Sequence, residues 1–279
     1  MGEDAGHELV DVGGGARLEW FGGRLIDRPS PGALGMRERP DAWADAGLRF
    51  DREKGWSGPL SPSEPWPANV ADLILELRAT EAGQVGLFPE HAALLGWLRD
   101  RVAGVTVAPA ILNLFAYTGL ATLVLAANGA AVTHVDASRP TIAWARRNAA
   151  LSGLADRPIR WILDDARAFV SREIRRERRY AGIILDPPSY GHGPGSGAWQ
   201  IETDLPELLA ACAAILDRDG FMVLTAHTPA FDSGHLADLV GDALRRPASA
   251  IQAGDLTLET ADGRQLELGA FARSSAGAS

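Results

Sequence analysis

Cysteine is nearly absent from this chain of 279 residues, where Cys212 stands alone. An intrachain disulfide is therefore impossible, and no Cys/His group has the spacing of a zinc site, so no metal is expected. A reducing, cytoplasmic setting fits that usage. An excess of positive charge is missing too: 27 Lys and Arg stand against 36 Asp and Glu, for a net charge of −9 at pH 7. A domain that grips nucleic acid mainly through charge is usually basic. The balance therefore lowers the expectation of such a partner without removing it, because charge can be segregated onto separate faces. The opening MGEDAGHELV has acids and no apolar core, unlike a secretory leader. Gly6 stands where a myristoylation signal has Ser or Thr. An unbroken membrane-length apolar run is lacking: Val107–Val135 has the length, but Asn113, Tyr117, Thr118, Gly119 and Asn128 interrupt it. No membrane partner is expected. The dinucleotide fingerprint G-x-G-x-x-G is absent, which makes hydride transfer less expected. No internal repeat is visible.

What is present suits a globular α/β chain. Hydrophobic residues make up 46% and charged residues 23%, which allows a sizeable core. The character changes near residue 105, giving three expected parts: a β-rich extension over 1–104, an α/β domain over 105–272 and a disordered tail over 273–279. In the first part, Arg17–Phe21 and Gly23–Ile26 read as strands around a Gly22-Gly23 turn. The Pro- and Gly-rich stretch Pro29–Pro67 reads as an irregular loop that Trp43, Trp56 and Trp66 pin onto the main domain. Leu73–Leu77 reads as a strand and His91–Val102 as a helix. Beyond residue 105 strands and helices alternate: strands at Ala110–Phe115, Ala131–Val135, Ile159–Leu163, Tyr180–Leu185 and Phe221–Ala226, with helices at Leu120–Ala127, Ser138–Leu151, Ala166–Arg178, Leu205–Leu216 and Leu236–Arg245. Leu256–Glu259 and Gln265–Leu268 flank an Asp262-Gly263 hairpin turn. A parallel series thus closes with antiparallel strands.

In an open parallel sheet ligands bind beyond the carboxyl ends of the strands, and four segments there carry chemistry. Asn113-Leu114-Phe115-Ala116-Tyr117-Thr118-Gly119 follows the first strand; Gly119 allows close backbone approach, and free N–H groups at the next helix can face a carboxylate. The competing reading is a plain strand–helix turn. Asp136, with Ala137, ends the second strand, where a carboxylate can take both hydroxyls of a ribose or simply cap a helix. Asp165 and Ala166 follow the third, placed to meet an adenine ring or to cap the helix. Asp186-Pro187-Pro188-Ser189-Tyr190 follows the fourth: a stiff corner, a carboxylate, and an aromatic ring able to stack on a base. Gly loop, acid, acid and D-P-P, in that order, are what an S-adenosylmethionine (SAM) pocket needs.

From about residue 84 to 228 the chain resembles the bacterial class I SAM-dependent methyltransferases that include the large-subunit (23S) rRNA cytosine-C5 and guanine-N7 enzymes. GLFPEHA (Gly86–Ala92), ILNLFAYTGLAT (Ile111–Thr122), VTHVDASRPTIAWARRNAALSGL (Val132–Leu154), IRWILDDARAFV (Ile159–Val170) and YAGIILDPPSYGHG (Tyr180–Gly193) carry the likeness, with NLFAYTG and LDPPSYG its specific parts. The resemblance implies a Rossmann-like, seven-stranded, mostly parallel sheet ending in an antiparallel hairpin, with a small N-terminal β-rich piece. It implies SAM as cofactor, with Phe115, Ala116, Tyr117 and Gly119 at the methionine end, Asp136 on the ribose, Asp165 near adenine, and Phe88 and Glu90 closing over it. Asp186, Pro187 and Tyr190 would face the substrate. Two features depart from the pattern. Enzymes acting on cytosine C5 need a thiolate, yet Thr225-Ala226-His227 stands where that cysteine would fall, and Cys212 lies in an apolar helix. An RNA-binding PUA domain is not expected either, so any grip on RNA is expected to come from the core domain. The expected reaction is methyl transfer to rRNA, to a base nitrogen rather than C5, with His192 or His227 as candidate proton acceptors. A small-molecule methyltransferase and a non-catalytic SAM-binding protein are the alternatives. A basic run, Arg172, Arg175, Arg176, Arg178 and Arg179, can meet phosphates or pair with Glu173 and Glu177 on a solvated helix face.

Overall fold

Alternating apolar residues and paired glycines build the N-terminal meander. In the computed structural model, which describes residues 6–192 and 197–274, β1 (His7–Gly13), β2 (Ala16–Phe21) and β3 (Arg24–Pro29) are antiparallel neighbours. Their two-residue loops, Gly14-Gly15 and Gly22-Gly23, have positive φ throughout, the geometry that matches strand twist and that glycine adopts without strain. The expected irregular stretch instead holds a short helix α1 (Pro40–Ala44) and two strands, β4 (Leu48–Asp51) and β5 (Gly55–Ser57), which extend the meander into a five-stranded sheet. Elements of three to five residues are too short for periodicity to reveal. A separate hairpin joins β6 (Trp66–Val70) to β7 (Leu73–Leu77). The three tryptophans do anchor this region, but within it: their indole N–H groups donate to Asp11, Thr80 and Phe21.

The chain forms two compact units, and the first comprises Met1–Ala93, Ala150–Gly153 and Thr257–Leu268. Its interior is ionic as well as apolar. Glu19 is fully buried; Arg28 donates to it twice, at 3.1 and 2.6 Å, Arg17 lies 3.2 Å away and His7 3.0 Å away. Burial alone would raise the Glu19 carboxyl, but Arg17 and Arg28 outweigh it and hold the group far below the ordinary carboxylate range.

The second unit holds Leu94–Ala149, Leu154–Leu256 and the chain from Gly269 onward. Helix α2 (Ala92–Val102) lies mostly here rather than with the N-terminal extension, and its Trp97 meets Phe221 edge-on at 5.4 Å. Parallel strands β8 (Ala110–Leu114), β9 (Ala131–Asp136), β10 (Ile159–Leu163) and β11 (Tyr180–Leu185) alternate with helices α3 (Leu120–Ala127), α4 (Arg139–Leu151) and α5 (Ala166–Arg175). A small hairpin, β12 (Tyr190–His192) with β13 (Ala198–Gln200), leads into α6 (Ile201–Ile215), β14 (Leu216–Ala226) and α7 (Ser233–Leu244). The last strands are β15 (Gln252–Glu259) and β16 (Gln265–Ser274). The seven-stranded sheet runs β10-β9-β8-β11-β14-β16-β15, with β16 antiparallel to β14. This is the expected Rossmann-like architecture. The order reverses between β8 and β11, so their carboxyl ends flank the crevice where such sheets bind ligands.

Several boundaries shift. Helix α5 stops at Arg175, short of Arg178, because Glu177 turns left-handed at φ +55°. Helix α6 begins four residues before Leu205 and carries Pro206 inside it. Arg273 and Ser274 pair with Val223 and Met222 in β16 rather than fraying. The rest of the expected tail lies outside the described residues, as does most of the Gly191–Gly197 loop. No helix among the described residues is long and apolar enough to cross a membrane.

Candidate methyl-transfer site

The loop after β8 holds two non-glycine residues in the left-handed region. Phe115, Tyr117 and Gly119 adopt φ of +54°, +50° and +93°. For Phe and Tyr such values cost energy and persist only where surroundings enforce them, often at ligand sites. Enforcement is visible. Ala116 N–H donates to the Val135 carbonyl at 3.1 Å, and the fully buried Asn148 of α4 donates to the Thr118 carbonyl at 3.0 Å. A Cβ at Gly119 would sit 3.3 Å from that of Ala145, so a side chain there would have to displace α4 by a few tenths of an ångström and would be strained at this φ. The first N–H groups of α3 have no intrahelical partner by construction, and the turn brings them to the carboxyl edge of the sheet.

Asp136, at the end of β9, is tied into the same loop. Its Oδ2 accepts from Tyr117 N–H at 2.9 Å and its Oδ1 from Ser138 N–H at 2.8 Å. Burial raises the carboxyl above its usual value and the two backbone donors partly offset this. Each oxygen retains a lone-pair direction for a further donor. Ala137 beside it is exposed. Asn113 is placed differently. Its side chain donates to Thr122 Oγ1 at 2.9 Å, and that hydroxyl meets His134 Nδ1 at 3.0 Å, so the amide faces the core behind the loop. Burial pushes the His134 imidazole down to about 3 and keeps it neutral.

Asp165 caps α5: its Oδ1 accepts from Ala168 N–H at 3.0 Å, and Arg167 lies 3.5 Å from Oδ2. The capping alternative is thus realised, and Ala166 opens the helix, buried. Phe88 and Glu90 belong to the first unit, at the 3-10 turn Pro89–His91, where Phe88 packs on the His91 ring and Glu90 is buried.

The D-P-P corner after β11 is held from both sides. Thr225 Oγ1 donates to Asp186 Oδ1 at 2.6 Å, and His227 Nε2 stands 3.5 Å from the same oxygen. Ser189 and Thr228 hydroxyls meet at 2.6 Å. On the other side the Trp199 indole donates to the Pro188 carbonyl at 2.6 Å, and Ile201 N–H to the Ser189 carbonyl at 3.1 Å. Pro187 is buried, whereas Pro188 is exposed and Tyr190 is 68% exposed. The His192 side chain lies outside the described part of the structure. Cys212 is fully buried in α6, and burial pushes its thiol up, away from thiolate. Sequence reasoning missed Trp199, Thr228, Asn148 and Thr122, and weighed Thr225 only for not being cysteine. Thr122 and Asn148 lie within the stretches that carry the resemblance, but nothing in those stretches assigns their partners; Trp199 and Thr228 lie outside them, and all four roles depend on contacts that only the fold creates.

No protein-family model matches the chain. Among solved structures, a SAM-dependent methyltransferase from Agrobacterium tumefaciens is 36% identical, superimposes with a TM-score of 0.92, and is matched over 98% of this chain and 91% of that one. The chain belongs to the SAM-dependent methyltransferases. Among curated relatives, the ribosomal RNA large subunit methyltransferase K/L of Methylococcus capsulatus is 35% identical over 152 residues, 52% of this methyltransferase and 20% of that protein. Ribosomal RNA large subunit methyltransferase K of Neisseria meningitidis is 30% identical over 159 residues, 56% of this chain and 43% of its own length. The methyltransferase thus spans between a fifth and under half of the length of these two curated relatives.

Proposed function

We propose that the protein binds SAM at the carboxyl ends of β8, β9 and β10 and transfers its methyl group to a base of RNA, ribosomal RNA by class, in the cytoplasm. The observation that carries this reading is the clamped Asp186-Pro187-Pro188 corner next to the strained loop after β8. The residues fit the cofactor: donors at the start of α3 for a carboxylate, lone pairs on Asp136 for ribose hydroxyls, and Asp165 and Ala166 at the next strand end toward adenine. When bound, the cofactor supplies an already activated methyl on a sulfonium. The chain's share is therefore placement of the acceptor and exclusion of water. Thr225 holds the Asp186 carboxylate, which takes a hydrogen bond from an amino or ring N–H together with the Pro187 carbonyl, while exposed Tyr190 stacks on a flipped base. His227, beside Asp186, is placed to receive a proton.

Nitrogen is favoured over cytosine C5 because Thr225-Ala226-His227 replaces the nucleophile and Cys212 is buried and neutral. Membership of the subgroup with the rRNA C5 and guanine-N7 enzymes rests on NLFAYTG and LDPPSYG. Within the basic run, Arg176 pairs with Glu173, Arg175 with Ser171, and Arg179 donates to the Ala214 and Leu216 carbonyls, so phosphate contact is not its main employment. The test is transfer of tritiated methyl from labelled SAM into total RNA or into a metabolite extract. Label in RNA is expected; label confined to small molecules would overturn the substrate class. Asp186→Ala is expected to retain affinity for S-adenosylhomocysteine (SAH) and lose transfer. Undiminished transfer would remove the D-P-P corner from the mechanism.

A further inference from the structure

One side chain touches both halves of the proposed chemistry. Trp199, on β13, is 4% exposed. Its indole N–H donates to the Pro188 carbonyl at 2.6 Å, in the diproline corner. Its ring packs against Phe115 in the loop after β8, with centroids 5.1 Å apart and planes tilted by 53°. Arg167 places its guanidinium 5.7 Å from the ring centroid and is held there by Asp204 at 3.0 Å, by the Gly197 carbonyl at 3.3 Å, and beside Asp165 at 3.5 Å. Phe115 is one of the two non-glycine residues held at positive φ in that loop. A residue in that conformation relaxes unless something holds it, and the Trp199 ring is such a contact. The corner has separate tethers to Thr225 and Thr228, but these touch the β14 side and not the cofactor loop.

We propose that Trp199 is a positioning residue that couples the cofactor loop to the substrate-holding corner, so that occupying the loop after β8 fixes the Pro188 carbonyl and the residues behind it. The coupling is mechanical. A ligand that orders Phe115 orders the ring packed on it, and the ring's only polar atom is bonded to the corner. Two functions are separable in one side chain: the ring face serves Phe115 and Arg167, and the N–H serves Pro188. Trp199→Phe keeps much of the first and deletes the second. Phe115→Leu attacks the ring contact from the other side and leaves the N–H bond in place.

The proposal rests on SAM binding at this loop, and SAH titration followed by two-dimensional ¹H–¹⁵N NMR separates the two ideas. In the wild type, SAH is expected to move the amide signals of Ala116, Tyr117 and Gly119, the indole signal of Trp199, and the amides of Ser189 and Tyr190. In Trp199→Phe the loop signals still move, SAH affinity stays within about twofold, and the Ser189 and Tyr190 response is lost. Turnover by that variant in the tritium assay on total RNA falls about tenfold at unchanged KM for SAM. Loop signals that move in the wild type while the Trp199 indole and the corner stay still would overturn the coupling and leave SAM binding intact. No response anywhere would overturn both. Should Trp199→Phe fail to fold, the wild-type titration and Phe115→Leu decide alone, the latter being expected to weaken the corner response together with SAH affinity.

Discussion

Replacing Asp136 by Asn tests the reading of the cofactor side most directly, because its two costs can be measured apart. Both carboxylate oxygens accept from backbone donors, Oδ2 from Tyr117 at 2.9 Å and Oδ1 from Ser138 at 2.8 Å. An amide has one acceptor oxygen and one NH₂ group. Whichever way it flips, a donor faces a donor, and one backbone N–H loses its partner. A buried donor left unpaired costs about 1–3 kcal/mol, which thermal or urea unfolding reads as lost stability. The second cost falls on binding. Ribose hydroxyls donating to an ionised carboxylate gain roughly 1.5–3 kcal/mol each, so the loss of one such bond weakens SAH about tenfold to a hundredfold. Calorimetry of SAH uptake reads that number. Asp165→Asn is the comparison: its Oδ1 is engaged as a helix cap, a bond that the Asn oxygen also accepts, so its substitution is expected to leave stability within about 0.5 kcal/mol with a smaller change in affinity. An Asp136→Asn protein that is destabilised yet binds SAH as tightly as the wild type would show that the carboxylate serves only the backbone, and the ribose assignment would fall.

Three further outcomes follow from the same contacts. Cys212→Ala should leave methyl transfer within about twofold, since the thiol is buried in α6 and pushed away from thiolate; abolished transfer in a folded variant would reinstate a cysteine nucleophile. Glu19→Gln should destabilise the first unit by about 3–5 kcal/mol by leaving Arg28 buried without its counter-charge, and a denaturation midpoint equal to that of the wild type would refute the pairing. His134 ionises less readily folded than unfolded, because its pKa falls from 6.5 to about 3 on burial. The unfolded chain therefore binds the proton first. This contribution to stability is whole above 6.5 and declines as the pH drops toward 3, by about 1.4 kcal/mol per pH unit. A His134→Asn protein should lack that part of the slope; an unchanged acid profile would mean the ring is charged in the folded state.

Much was legible along the chain because it is local. Strands β8 to β11 lie within a residue of where their apolar runs and flanking turns place them, Asp136, Asp165 and Asp186 stand at or just after strand ends, and Gly119 opens the helix that follows β8, as the alternation requires. A strand's length, its turn chemistry and the residue that ends it are properties of neighbouring amino acids, so sequence alone carries them. Short elements such as α1, β4, β5 and the β12–β13 hairpin were not legible, since three to five residues show no period and, unlike β8 and β10, these have no apolar run to mark them.

What only the tertiary structure decided is the use of each polar group. Asn113 stands in the most telling motif, yet its amide is spent on Thr122 and the core; Asp165 gives one carboxylate oxygen to a helix cap; Trp199, in no motif, reaches both Phe115 and Pro188. Residues 115, 188 and 199 are neighbours because β8 and β11 are adjacent in the sheet order while far apart in sequence. Packing, not proximity along the chain, assigns hydrogen-bond partners, and a buried polar group takes whichever partner the fold brings to it.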